Sequence, residues 1–118
     1  MLIKVLRAKI HRATVTSVDL DYIGSVTIDR ELMDAVGIAE GEAVLVADLD
    51  NGTRHETYVV AAPAGSGEIC VNGAAARLVA PGDRLILIAF AYVGPDEAGQ
   101  LKPKVVLVDE RNRPVRML

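Results

Sequence analysis

Apolar and polar residues alternate along most of this chain in short runs broken by turn residues, so strands are the dominant prediction. Leu2 to His11 and Ala13 to Ser17 are rich in β-branched and aliphatic residues, as strands on half-buried surfaces are. Tyr22 to Ser25 breaks the pattern and Val26-Thr27-Ile28 resumes it. Asp29 stands as the N-cap of a short helix, Arg30 to Val36, which Gly37 closes. Ala43 to Asp48 is another apolar strand. Asn51-Gly52, both tolerant of positive φ, predicts a hairpin into a return strand from Arg54 to Ala61. Ala64 to Gly67 is a loop, and Ile69-Cys70-Val71 is a short strand. Asn72-Gly73 opens an alanine-rich turn, and Pro81-Gly82 marks a second turn. Leu85 to Val93 is the most apolar segment, hence a central strand, and Val105 to Val108 is predicted as the last. The pattern predicts a mainly β fold with one or two short helices, closed into a compact barrel.

The 118 residues allow one domain, 1–118, with a single core. Hydrophobic residues make up 51% of the chain but aromatics only 3%, so that core must be built from Val, Ile, Leu and Ala. A net charge of -3 gives no electrostatic reason to bind nucleic acid or an anionic membrane. No run approaches the ~20 apolar residues that span a bilayer, and charges interrupt Met1 to Arg7 too often for a signal peptide. The single Cys70 has no partner for an internal disulfide. A cytoplasmic protein is expected.

Few polar residues stand where they can do chemistry. Lys9 and His11 alternate along the first strand and share a face; Arg54, Glu56 and Tyr58 share one on the return strand, with Thr57 opposite. The plain reading is a solvated sheet edge whose charges protect against aggregation. The functional reading is a pocket in which Lys9 and Arg54 bind anionic groups. The planar fork of Arg54 suits a carboxylate, and charge-assisted bonds contribute roughly 1.5–3 kcal/mol each. Tyr58 reads either as core packing with a satisfied hydroxyl or as a proton donor. Asn72-Gly73-Ala74-Ala75 reads as a tight turn, or as a cradle exposing backbone N–H groups to a carboxylate. His55 and Cys70 lack partners at metal-ligand spacing, so no metal is assigned.

The dipeptide Gly24-Ser25 is the most informative of all. Glycine can take up strained or left-handed backbone geometry that other residues resist. Ser25 holds a hydroxyl beside the carbonyl it would attack, so proximity is supplied by covalent geometry. Alone, a Gly-Ser pair more often marks an ordinary turn. In combination it carries a family signature. The chain resembles the pyruvoyl-dependent aspartate 1-decarboxylases over about its first 95 residues. The matching stretches are Lys9-Ile10-His11-Arg12, Thr14-Val15-Thr16, Asp19-Leu20, Tyr22 with Gly24-Ser25, Ile28-Asp29, Asn51-Gly52, Thr57-Tyr58, Val71 to Ala76 and Pro81-Gly82-Asp83. Asp21 and Arg77 stand where the family often has histidine.

The resemblance implies a double-psi β-barrel that assembles as a homotetramer. It implies self-cleavage at Gly24-Ser25, assisted by Thr57, into a β-chain of residues 1–24 and an α-chain of residues 25–118. Ser25 would become a covalent pyruvoyl group, the only cofactor, with neither metal nor pyridoxal phosphate. A maturation factor is a possible partner. L-Aspartate would form a Schiff base with that group and lose CO2, and protonation by Tyr58 would give β-alanine, a precursor of pantothenate and coenzyme A. Lys9, His11, Arg54, Thr57, Asn72, Gly73, Ala74 and Ala75 would bind the substrate. Two alternatives remain open: a small barrel acting as a DNA-binding or interaction module, and a homologue that folds but never cleaves.

Overall fold

Strand β1 (Ile3–Thr14) shows how the sequence pattern becomes structure. Ala8, Ile10 and Ala13 are buried while Lys9 and His11 lie half-buried on the other face. A strict period of two would send Arg12 outward and Ala13 inward only if the strand bulged, and it does. Arg12 adopts φ 71° and the register against β7 shifts between His11 and Ala13. A bulge adds one residue and restores the apolar face to the core. The expected break after His11 is therefore a bulge inside one strand.

The computed structural model describes residues 1–118. After β1 come β2 (Ser17–Asp19), β3 (Ser25–Asp29), α1 (Arg30–Val36), β4 (Ala43–Asp48), β5 (Arg54–Ala62) and β6 (Ile69–Asn72). A 3-10 turn (Gly73–Arg77) leads to β7 (Arg84–Val93), α2 (Pro95–Ala98), β8 (Lys104–Val108) and β9 (Pro114–Met117). The mainly β class with two short helices is the one expected. Two strands differ from expectation. The chain leaves β1 at Thr14 and pairs again only at β2, and β9 follows the segment predicted to be last. Short, largely exposed strands such as β9 carry no alternating apolar signal, because they bury too little to need one.

The hydrogen-bonded order is β2-β6-β3-β5-β4-β7-β1-β8-β9. Most neighbours are antiparallel, but β1 with β8, β2 with β6 and β3 with β5 are parallel. The Leu85–Val93 run lies between β4 and β1, as a central strand should. Where β1 ends, Val15 N donates to Asp83 O and Thr16 N to Ile69 O, both at 2.8 Å, stitching the two halves of the sheet together. The sheet encloses one cluster of 21 buried hydrophobic residues, none of them aromatic. Fully burying each Val, Ile or Leu contributes about 1.5–3 kcal/mol, so many mid-sized side chains replace a few large rings. No helix is long and apolar enough to cross a membrane.

Helix α1 has the expected caps. Asp29 Oδ1 accepts from Glu31 N at 2.8 Å, and Gly37 is left-handed with its N–H on Met33 O. Asp29 also accepts from Gly65 and Gly67 at 2.9 and 2.8 Å, so one buried carboxylate fixes both the helix start and the 64–67 loop. Asn112 does similar work at the far end. It accepts from Thr14 N and donates to Thr14 O and Gly67 O, pinning the β8–β9 turn to β1.

One buried carboxylate is less well served. Asp48, 3% exposed, accepts from the N–H groups of Asp50 and Asn51 through Oδ1, but its buried Oδ2 has no donor. Burial, and then the adjoining Asp83, raise its pKa. An acid whose folded pKa is raised keeps its proton longer in the folded chain than in the unfolded one. Stability therefore falls as pH rises from the ordinary aspartate range through the raised folded value, and is level above it. Asp48→Asn keeps the accepting oxygen and offers a donor in place of Oδ2. The variant is expected to melt higher than the parent near neutral pH, with the gap closing in acid. A lower melting temperature at neutral pH would contradict this account of Asp48.

Candidate active site

Ser25 opens β3 opposite Asn72 of β6, and that pairing builds the site. Its side chain is buried, at 2% exposure. The hydroxyl donates to Ile23 O at 3.2 Å and accepts from Asn72 Nδ2 at 3.0 Å. An oxygen with one donor and two lone pairs retains one lone pair in this arrangement. Asn72 is itself fully engaged: Nδ2 also donates to Thr27 Oγ1 at 3.0 Å, and Oδ1 accepts from Cys70 Sγ at 3.1 Å. A side-chain amide anchored at both ends fixes the rotamer of the serine it touches.

Gly24 does not use the left-handed freedom open to glycine. Gly24 is absent from the positive-φ residues, and a Cβ there would meet nothing within 4 Å. The strict requirement lies across the gap at Gly73. It has φ 76°, and a Cβ there would lie 2.6 Å from Gly24 Cα and 3.0 Å from Gly24 N. The loop bearing the Gly24-Ser25 bond thus rests on the backbone of Gly73, at the start of the 3-10 turn. Only glycine permits that approach.

A cleft of about 570 Å³ lies beside this loop, lined in part by Gly24, Thr57, Asn72, Ala74 and Ala75. The strand register explains why these residues meet. β3 and β5 run parallel with Val26 paired to Val59, so the loop before β3 lies alongside the part of β5 that precedes the pairing. The structure therefore brings together Gly24, Ser25, Thr57, Asn72, Gly73, Ala74 and Ala75.

The remaining candidates do not line that cleft. Cross-strand partners share a face, and the register places His11, Ile86, Ala47 and Arg54 in one row. Lys9, Ile88, Leu45 and Glu56 form the next. Lys9, His11, Arg54 and, two residues further along β5, Tyr58 all occupy the outer face of the sheet. With strands spaced about 4.8 Å apart, β1 and β5 are roughly 15 Å apart across it. Tyr58 is 40% exposed. Burial, then Lys9 and Arg12, lower the His11 pKa, and its buried Nδ1 has no partner.

His55, Glu56, Arg77 and Leu78 also line the cleft, although the residue pattern did not single them out as ligands. Burial lowers the His55 pKa. Alternation along β5 puts His55 on the Thr57 face, and this was the available signal. Arg77 carried only its departure from the family's frequent histidine, because a 3-10 turn has no long periodicity to extrapolate.

The family model described as aspartate decarboxylase matches residues 1–115. This chain belongs to that family. Among its relatives, the aspartate 1-decarboxylase of Lactiplantibacillus plantarum is 57% identical over 113 residues, covering 96% of this chain and 87% of that one. The Clostridium beijerinckii enzyme is 54% identical over 112 residues, covering 95% and 90%. That of Caldicellulosiruptor saccharolyticus is 53% identical over 117 residues, covering 99% and 91%. A rationally designed protein, mkDPBB_sym1, is similar in structure at a TM-score of 0.47, with 22% identity over 72% of this chain and 96% of its own. The double-psi β-barrel expected from the resemblance goes with membership of the aspartate decarboxylase family, and the mixed, mainly β sheet is in keeping with it.

Proposed function

We propose that this chain is a self-processing aspartate 1-decarboxylase that releases CO2 from L-aspartate to give β-alanine. The supporting observation is the setting of Ser25: a buried hydroxyl, oriented by Asn72 and Ile23 O, next to a Gly24 held against Gly73. In this reading Ser25 Oγ attacks the Gly24 carbonyl, with Thr57, on the same cleft wall, as the donor to the displaced oxygen. The cut separates residues 1–24 from residues 25–118. The pyruvoyl group left at residue 25 supplies the electron sink that decarboxylation requires and that no ordinary side chain provides.

The chain's own residues do the rest. Lys9 and Arg54 hold the two carboxylates, the firmer clamp falling on the one that stays, because tight binding of the departing group would stabilise the ground state. Asn72 and the Gly73-Ala74-Ala75 backbone orient the substrate within the cleft. The Tyr58 hydroxyl delivers a proton to the carbon that has lost CO2. Lys9, His11, Arg54 and Tyr58 do not themselves line the cleft in one chain, so a neighbouring copy supplies them, in keeping with a homotetramer. Half-buried Leu45, Ile86 and Ile88 between these residues give their face an apolar ground for such a contact.

The test is β-alanine and CO2 formation from L-aspartate by the cleaved protein, compared with Tyr58→Phe. The variant should be cut normally yet turn over at least about 100-fold more slowly, in line with the loss of a positioned acid. Near-parental turnover would remove Tyr58 from the mechanism. A fully cut protein that forms no β-alanine would refute the proposed activity.

A further inference from the structure

Of the side chains lining the cleft, Arg77 alone carries a permanent positive charge. Glu56 is the one carboxylate among them, and burial lowers the pKa of His55, disfavouring its charged form. Arg77 takes no part in the ion pairs of the molecule, which are Arg7–Glu42, Arg30–Glu40 and Arg84–Asp50. It stands at the end of the 3-10 turn whose first residue, Gly73, backs onto Gly24. Ala74 and Ala75, small residues of the same turn, line the cleft together with Arg77 and Gly24.

Self-cleavage changes the charge of this wall. The N-to-O shift moves the Gly24 acyl group from the Ser25 nitrogen to Oγ. Elimination then breaks the Cβ–Oγ bond as the α-proton leaves, and the acyl oxygen departs as a Gly24 carboxylate. The enamine left at residue 25 takes up one water and loses ammonia to become the ketone. A new anion thereby appears on the wall that already holds Glu56, where a second negative charge needs a cation. Its covalent tether keeps it at the site without diffusion.

We infer that Arg77 is a carboxylate-binding residue of the cleft and that its ligand is the Gly24 terminus created by cleavage. This rests on the self-processing reading above. The guanidinium fork is suited to donate to both oxygens of such a terminus. L-Aspartate is the other carboxylate source at the same place, and the two are separable.

Protein labelled with [1-13C]glycine carries ten labelled carbonyls, of which only Gly24 becomes a titratable carboxylate. In Arg77→Gln the midpoint of that titration should lie about one pH unit above the parent's, with Arg77→Lys between, since a nearby cation favours the ionised form. A parental Gly24 titration together with an aspartate KM raised roughly ten- to hundredfold would keep carboxylate binding by Arg77 but assign it to substrate. Parental behaviour in both measurements would overturn the inference while leaving self-cleavage intact. A parent protein that never splits would remove the inference together with the reading beneath it, and intact mass shows that before either arm begins.

Discussion

Ser25→Ala is expected to purify as one uncut chain of 118 residues with no measurable β-alanine formation. The substitution removes the hydroxyl proposed to attack the Gly24 carbonyl, and with it the proposed source of the electron sink. The fold should survive. Asn72 Nδ2 loses one acceptor but keeps Thr27 Oγ1, and its Oδ1 keeps the Cys70 contact. The Ile23 carbonyl loses a donor at the edge of an exposed loop, where water can replace it. One or two neutral hydrogen bonds correspond to about 0.5–1.5 kcal/mol each, so a modest drop in melting temperature is anticipated. Cleavage after Gly24 in this variant would show that another group, or water, performs the attack.

Gly73→Ala should slow maturation without abolishing it, although residue 73 takes no part in bond making during the cut. The added Cβ would fall 2.6 Å from Gly24 Cα, and the backbone must also hold a positive φ that alanine resists. Backbone strain of this kind costs about 1–3 kcal/mol, and the collision adds to it. Because the obstacle is backbone rather than a flexible side chain, relief requires the Tyr22–Ser25 loop to move. An ångström of misplacement at a reacting centre can cost roughly a hundredfold in rate. The expected result is a folded chain of lowered melting temperature whose cut form accumulates at least about tenfold more slowly than the parent's. Parental cleavage kinetics would mean that the loop does not need its seat on Gly73.

Much of the fold was legible because one face of each long strand is buried. The β4–β5 hairpin, α1 with its Asp29 and Gly37 caps, and the central β7 all follow from period, cap and turn chemistry. What escaped is what the core does not dictate. The Arg12 bulge hides the continuity of β1, since period-two counting fails at one inserted residue. Strands β2 and β9 bury little and leave no pattern. The candidate site divides in the same way. Gly24-Ser25 and Asn72 to Ala75 are contiguous motifs, and β3–β6 pairing brings them face to face. Thr57 joins them through the β3–β5 register, which no local pattern reveals. That His11 and Arg54 share a row across β7 and β4 depends on sheet order, which is likewise invisible in sequence. Of the two glycines of the site it is Gly73 that has a positive φ, because its backbone backs onto Gly24, a close approach that sequence alone does not reveal.

The most direct test of self-processing is the intact mass of the purified protein under denaturing conditions. The account predicts two species, residues 1–24 and residues 25–118, the second lighter than its serine-started form by the mass of one ammonia and lacking an N-terminal amine. A single chain of full mass in a preparation that makes β-alanine would contradict it, as would two fragments whose larger member begins with unmodified serine.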